Sequence, residues 1–156
     1  MKLFKWDNVL VPDELEKAYI GGFFDGEGCV TLSRDASKSE GGYSLSVLIS
    51  NTNISVLEFI CKFYRAKLTP IKPRGNSKPS FQWCIKSRKA MRFLEDVLPH
   101  LKVKAEVAKL GIYFQRTKKK TFYPQGGLKE DEVKFRLAVK EQFRHLNRRG
   151  AMQGVN

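Results

Sequence analysis

The sequence predicts an α+β fold of the order αββαββα, in which helices cover one face of an antiparallel sheet and extra C-terminal helices follow. Two observations support this prediction. Strand-like segments alternate apolar and polar residues, whereas helix-like segments carry apolar residues three and four positions apart. A first series of helix, strand, strand and helix is followed by a second series of strand, strand and helix. The 156 residues are enough for one hydrophobic core.

The first helix is predicted to begin after Asp13, which has the capping-box spacing to Glu16. The helix contains Gly21, Gly22 and Gly26, and each glycine costs about 1 kcal/mol of helix stability relative to alanine. Because a missing Cβ lets another backbone approach closely, we predict a helix-pairing face here.

This helix ends in two acidic residues, Asp25 and Glu27. Carboxylates are disfavoured at this end because the helix dipole is already negative there. A divalent cation bound by carboxylate and backbone oxygens would relieve the conflict and supply an activated water for phosphodiester hydrolysis. The alternative is a buried helix that turns through glycine into a strand, with both acids solvated.

The remaining elements follow from the change of period after Gly28. Asn53 and Ser87 are predicted helix caps, and Pro99 is predicted to end a helix. Pro70 in the third strand is typical of an edge or irregular strand. The predicted strands are 29–35, 43–50, 66–74 and 80–86, with a hairpin loop at 37–42, and the predicted helices after the first are 54–64, 87–98, 101–116 and 128–146.

One face of the predicted sheet carries hydroxyl groups together with long hydrogen-bond donors. This mixture suits base edges and phosphates in the DNA major groove, which a twisted antiparallel ribbon can enter. The alternative is an ordinary solvent face that carries serine and threonine for solubility. The candidate DNA-binding residues are Thr31, Ser33, Ser44, Ser46, Leu48, Lys72, Arg74, Ser80, Gln82 and Lys86.

The chain has a formal net charge of +13, and the excess lies beyond the first helix. Residues 1–60 hold 5 basic and 9 acidic groups, a net charge of −4, whereas 61–100 hold 10 and 2, and 101–156 hold 14 and 5. A basic field of this size recruits polyanions, with nucleic acid as the leading candidate. A solvated basic surface without a specific partner is the alternative.

Several functional classes are not indicated by the sequence. No apolar run has the length of a membrane span, and no glycine-rich loop suits a small phosphorylated substrate. Cys29, Cys61 and Cys84 match neither a zinc spacing nor a disulfide framework, which predicts a reducing compartment and not secretion. His100 and His145 have no evident acidic partner for catalysis.

The stretch from Ile20 to Gly28, IGGFFDGEG, closely resembles the signature of the LAGLIDADG homing endonucleases. The resemblance extends through the order of elements over residues 13–115. Ile20 replaces leucine and Gly21 replaces alanine, whereas Glu27 stands where the family usually has its metal-binding aspartate. The resemblance implies a saddle-shaped sheet lying along double-stranded DNA.

The activity implied by this resemblance is site-specific hydrolysis of both DNA strands across the minor groove, at a long near-palindromic target, leaving short 3′ overhangs. Since the chain has one motif, the resemblance implies a homodimer whose motif helices meet through Gly21, Gly22, Asp25 and Gly26. A protein of the same fold without cleavage, acting as an RNA-splicing maturase or a DNA-binding regulator, is the alternative.

The resemblance also implies the residues of the catalytic site. Glu27 and the carbonyl of Gly26 are expected to hold Mg²⁺, with Mn²⁺ as a substitute and Ca²⁺ supporting binding without cleavage. Lys104 matches the family's active-site lysine, and an exposed helix-face lysine is the alternative. Asn51 falls where a polar residue organises water, although Asn51 to Asn53 is also an ordinary strand-to-helix turn. Ser55 stands where some relatives have an arginine.

The chain divides into an N-terminal extension at 1–12, the core at 13–117, a basic loop and C-terminal helix at 118–148, and a disordered tail at 149–156. Arg136, Lys140 and Arg144 are spaced four apart on the last helix and are predicted to line the DNA backbone. The expected location is an organelle, chloroplast or mitochondrion, if the gene is intron-encoded there, and otherwise a prokaryotic cytoplasm.

Overall fold

The computed structural model describes residues 10–34, 41–119 and 127–152. The predicted order αββαββα is confirmed, and a short 3₁₀ helix and two further α-helices follow it among the described residues. None of the helices formed by these residues is long and apolar enough to cross a bilayer. The elements are α1 (Glu14–Glu27), β1 (Gly28–Arg34), β2 (Tyr43–Asn51), α2 (Ile54–Phe63), β3 (Thr69–Ile71), β4 (Ser80–Lys86), α3 (Ser87–Val97), a short 3₁₀ helix (Leu98–His100), α4 (Ala105–Thr117) and α5 (Glu130–Met152).

The four strands form one antiparallel sheet in the order β1-β2-β4-β3, so β1 and β3 are its edges. Alternate side chains on one face, including Leu45, Val47, Ile49 and Trp83, are fully buried under the helices. The opposite face, which we call the open face, carries partly exposed and mostly polar side chains. This division confirms the predicted one-sided sheet.

The predicted start of α1 is confirmed by its capping box. The Glu16 N–H donates to Asp13 Oδ1 at 2.8 Å, and the Asp13 N–H donates to Glu16 Oε2 at 2.8 Å. Further along the helix, Ile20 and Phe24 are fully buried, and Phe24 packs edge-on against Phe93 of α3 with ring centroids 5.1 Å apart. These contacts fix α1 beneath the sheet.

The third strand is shorter than predicted. It covers Thr69–Ile71 only, so Lys72 and Arg74 lie in the exposed loop before β4 and not on the sheet itself. Pro73 lacks the N–H group that a longer ladder with β4 requires, which accounts for the early end of the strand. The predicted position of Lys72 and Arg74 on the DNA-binding face of the sheet is therefore corrected to a loop beside it.

The start of α3 also differs from the prediction that Ser87 caps it. Lys86 occupies the N-cap position, and no side chain makes a capping hydrogen bond there. Ser87 is instead the first residue of the helix and has a φ of 54°, which a non-glycine residue rarely adopts. This conformation accompanies a direct turn from β4 into α3 without an intervening loop.

The C-terminal helix α5 runs to Met152, so residues 149–152 are helical where a disordered tail was predicted. Val139 and Phe143 are buried as α5 packs on α4 and β1. The predicted hairpin loop and basic loop fall largely on residues 35–40 and 120–126, which lie outside the described residues, as do 1–9 and 153–156.

The prediction that α5 lines DNA with a basic stripe is wrong for two of its three residues. Arg136 is buried in an ion pair with Glu132, with 2.6 Å between Nε and Oε1. Lys140 donates to the carbonyl of Leu32 at 2.6 Å, on the outer side of edge strand β1. Only Arg144 is exposed, and it pairs with Glu141.

Candidate active site

The end of α1 leaves Glu27 exposed where the helix turns directly into β1. A Cβ at Gly28 would lie 2.0 Å from Cδ2 of Phe24, so only glycine permits this turn against the buried ring. Gly28 pairs with Ile49 as the sheet begins. The Glu27 carboxylate therefore sits at the junction of the motif helix and the sheet.

Asp25 is occupied by backbone donors of its own chain. Its carboxylate accepts hydrogen bonds from the N–H groups of Lys102 at 2.9 Å, Val103 at 2.9 Å and Lys104 at 2.8 Å. Burial tends to raise the pKa of Asp25, but these donors bring it below its ordinary value. The ionised carboxylate thus ties the end of α1 to the segment before α4, an arrangement we call the clasp. The assignment of Asp25 to the dimer interface stays a prediction.

The same clasp explains why α4 begins at Ala105 and not at 101 as predicted. A helix through residues 102–104 would direct their N–H groups along its axis, whereas here they converge on one carboxylate. The expected cation at the end of α1 is therefore unnecessary for Asp25. The requirement for an opposing positive charge concerns Glu27 alone.

Lys104 lies at the end of α1, as the resemblance implied. It is the N-cap residue of α4, and its Nζ donates to the backbone carbonyl of Asp25. The carbonyls of a final helical turn carry partial negative charge, which favours an ammonium group there. The fold thus brings the amine of Lys104 to the last turn of α1, which ends in Glu27.

Asn51 forms a strand-to-helix turn. Its Oδ1 accepts from the Asn53 N–H at 2.8 Å, and the Oδ1 of Asn53 caps α2 by accepting from the Ser55 N–H at 3.0 Å. Asn51 also shares strand parity with the buried Ile49, whereas Ser50 is exposed on the open face. These contacts support the turn-forming interpretation of Asn51.

The open face brings together most of the predicted DNA-binding residues. Thr31 pairs with Ser46, and Ser46 pairs with Lys86, so these positions form one row across three strands. Ser46 is fully buried and accepts a hydrogen bond from Ser33 Oγ at 2.6 Å. The prediction that Ser46 contacts DNA is therefore wrong, and Ser46 instead holds the side chain of Ser33 in place. The predicted positions that remain accessible on this face are Thr31, Ser33, Ser44, Leu48, Ser80, Gln82 and Lys86.

A second exposed feature runs along α1, and we call it the α1 stripe: Leu15, Tyr19, Gly22 and Gly26. The side chain of Leu15 is 82% exposed and that of Tyr19 is 56% exposed. A Cβ at either glycine would meet nothing within 4 Å. Spacings of four, three and four place all four residues on one helix face.

Gly21 lies on a different side of α1 and is buried. A Cβ there would lie 2.9 Å from the Cβ of His100, so this glycine permits packing within the chain. Its predicted place in the dimer interface is therefore wrong. Leu15 and Tyr19 were missed as interface candidates, although their spacing to Gly22 and Gly26 was readable in the sequence.

Comparison with known proteins gives the family of the chain. Residues 20–119 match the family model described as LAGLIDADG endonuclease. The chain belongs to this family. No match was found among curated proteins.

The fold of this LAGLIDADG chain is similar to those of solved homing endonucleases. I-CvuI, in complex with the I-CreI target and 2 mM Mg, has a TM-score of 0.66 at 21% identity, over 85% of this chain and 82% of that one. I-AabMI bound to uncleaved DNA has a TM-score of 0.59 at 17% identity, over 83% of this chain and 46% of that one. I-CeuI complexed with DNA has a TM-score of 0.52 at 17% identity, over 70% of this chain and 57% of that one.

The oxygen donors at the end of α1 suit a hard divalent cation but form an incomplete set in one LAGLIDADG chain. Glu27 offers an exposed carboxylate, and the exposed Gly26 offers its carbonyl. Among the described residues, no three His, Cys, Asp or Glu side chains form a metal-binding group. Mg²⁺ commonly uses one or two carboxylates together with substrate phosphates and water. A second chain and DNA would therefore complete the site.

Proposed function

We propose that this chain is a homodimeric, Mg²⁺-dependent, site-specific double-strand DNA endonuclease of the homing type. It hydrolyses both strands across the minor groove of a long near-palindromic target and leaves short 3′ overhangs. One observation carries the proposal within the structure: the α1 stripe and the exposed Glu27 belong to the same helix. Membership of the LAGLIDADG endonuclease family supplies the reaction class.

The homodimer follows from the α1 stripe. Exposed Leu15 and Tyr19 continue into a strip without Cβ atoms at Gly22 and Gly26. Two copies of such a helix can pack closely about a two-fold axis, burying the apolar side chains at one end and touching backbones at the other. This pairing brings the two Glu27 carboxylates together at the ends of the helices.

In the dimer, Glu27 and the carbonyl of Gly26 would hold Mg²⁺, which would supply Lewis-acid chemistry for phosphodiester hydrolysis. Mn²⁺ substitutes for it, and Ca²⁺ supports binding without cleavage. Lys104 stabilises the negative charge that develops on the phosphate. The solved structures of I-CvuI include one with Mg and one with Ca, which supports a divalent-metal site in this fold.

Double-stranded DNA lies against the open face of each sheet. The accessible hydroxyl and amide groups face base edges, while Lys86 and the loop cations Lys72 and Arg74 face phosphates. The basic charge of residues 61–156 supports this placement. The role of Asn51 in organising active-site water stays a prediction. The location in an organelle or a prokaryotic cytoplasm also stays a prediction.

A cleavage assay on a plasmid library tests the proposal. Discrete linear products with Mg²⁺, and bound but intact DNA with Ca²⁺, are expected. Glu27→Gln should bind DNA without cutting it, whereas Glu58→Gln, an exposed position on α2, should cut normally. Retention of DNA or intron RNA without any cutting by the wild-type protein would instead indicate a binding protein or maturase.

A further inference from the structure

Three consecutive cross-strand positions on the open face lack strong hydrogen-bonding groups. Cys29 of β1 pairs with Leu48 of β2, and Leu48 pairs with Cys84 of β4. We call these three residues the apolar row. The neighbouring row contains Thr31, Ser46 and Lys86, so the apolar row interrupts an otherwise polar face.

The apolar row starts beside the proposed cleavage site, because Cys29 is two residues after Glu27. Three adjacent strands span about 9.5 Å between the outer two. A B-DNA major groove is about 12 Å wide, so all three side chains fit within one groove. Cys29 is exposed and Leu48 and Cys84 are half-buried, which leaves each of them accessible from the open face.

The thiol of Cys84 stays neutral at ordinary pH, because burial raises its pKa, with Lys86 opposing the rise. A neutral thiol behaves as a small apolar group with a weak donor. The two cysteines are also too far apart for a disulfide, which requires Cα atoms within about 7 Å.

A polar base edge placed against such a row would lose its water without gaining a partner. Within the major groove, the C5-methyl of thymine is the one apolar group that an unmodified base pair presents. Basic residues on and beside the same face, including Lys86, Lys72 and Arg74, complement the phosphates on either side. The charge surrounding the row therefore favours DNA as its occupant.

We propose that the apolar row reads thymine C5-methyl groups in the part of each half-site next to the cleaved bonds. This inference rests on the proposed function, since it concerns the target of that reaction. It assigns part of the sequence preference to Cys29, Leu48 and Cys84, and it predicts A·T pairs under them. Their contribution comes from the desolvation of a methyl group, not from hydrogen bonds.

Replacement of thymine by uracil tests the proposal, because uracil lacks only the methyl group. The probe is the duplex recovered from a randomised library by binding in Ca²⁺, with each thymine replaced in turn. At the contacted positions, affinity should fall about fourfold per methyl group. In Leu48→Asn, the difference in affinity between thymine and uracil should disappear at the base that Leu48 contacts and remain at the other contacted bases. Equal affinity for thymine and uracil at every position, or an unchanged difference in Leu48→Asn, would overturn the proposal.

Alkylation by N-ethylmaleimide, read by peptide mass spectrometry, gives a second test on the unmodified protein. Bound duplex should slow the labelling of Cys29 and Cys84 but not that of Cys61, which lies on α2 and contacts the carbonyl of Ala66. Labelling of Cys29 and Cys84 at the rate of the free protein would overturn the proposal. A protein that cuts its target but ignores the methyl groups refutes the inference and leaves the proposed function standing, whereas one that binds no DNA refutes both.

Discussion

Lys104 donates two hydrogen bonds to Asp25, one from its backbone and one from its side chain. The carboxylate of Asp25 accepts from the backbone N–H of Lys104 at 2.8 Å, and the Nζ of Lys104 donates to the backbone carbonyl of Asp25. The first acid of the motif therefore acts as a positioning residue for the proposed catalytic lysine. The second acid, Glu27, is left exposed for a metal.

Asp25→Asn should destabilise the protein by about 1–3 kcal/mol, because an amide offers one acceptor oxygen to three backbone donors and turns an N–H towards the rest. Urea unfolding followed by circular dichroism measures this change. Asp131→Asn, at an exposed position of α5, is the control and should alter stability little. Equal stability of Asp25→Asn and wild type would contradict the clasp.

The clasp also predicts a pH dependence of stability. The pKa of Asp25 is below its ordinary value in the folded protein, so its contribution is complete above the unfolded pKa of about 4. The contribution is lost as pH falls through the lowered folded pKa. The difference in unfolding free energy between wild type and Asp25→Asn should therefore shrink from pH 7 towards pH 3. A difference that stays constant over this range would count against an ionised Asp25.

Leu15→Lys should dissociate the dimer without unfolding the chain, because Leu15 is 82% exposed within one chain. Loss of two symmetry-related leucines from an interface costs about 3 kcal/mol or more, which corresponds to about a hundredfold weaker dimer. Sedimentation equilibrium measures the association. Leu137→Lys on α5 is the matched control and should remain dimeric. A dimer unaffected by Leu15→Lys places the pairing surface elsewhere.

Arg136→Met should destabilise the protein by about 3–5 kcal/mol, because it leaves the carboxylate of Glu132 buried without its partner. The double change Glu132→Met and Arg136→Met should restore much of the loss. Urea unfolding of the single and double variants gives the comparison. A marked fall in the salt dependence of DNA binding for the folded double variant would instead support the phosphate contact predicted from the sequence.

The features that the sequence predicted well are those set by local periodicity. The capping box at Asp13, the strand alternation and the cap at Asn53 depend on residues a few positions apart. The partner of Asp25 lies 77 residues or more along the chain, so no local pattern could indicate it. Fold-level packing likewise decides that Ser46 is buried under its neighbours.

The basic residues of α5 also show that a local pattern cannot identify which surface a helix face contacts. Arg136, Lys140 and Arg144 share a helix face, and that pattern alone suits either phosphate or a carbonyl-rich protein surface. The fold turns Arg136 onto the carbonyls of Gly41 and Lys119, and Lys140 onto the outer carbonyl of Leu32. Only the tertiary arrangement distinguishes these two environments.

The covering of β1 has a consequence for how two chains can share one target. Lys140 and Asn147 already occupy the outward carbonyls of Leu32 and Val30, so this margin offers no free acceptors there for another strand. Pairing through β1 therefore cannot join two chains into one continuous eight-stranded sheet. In the proposed dimer, each sheet would contact its own half of the target.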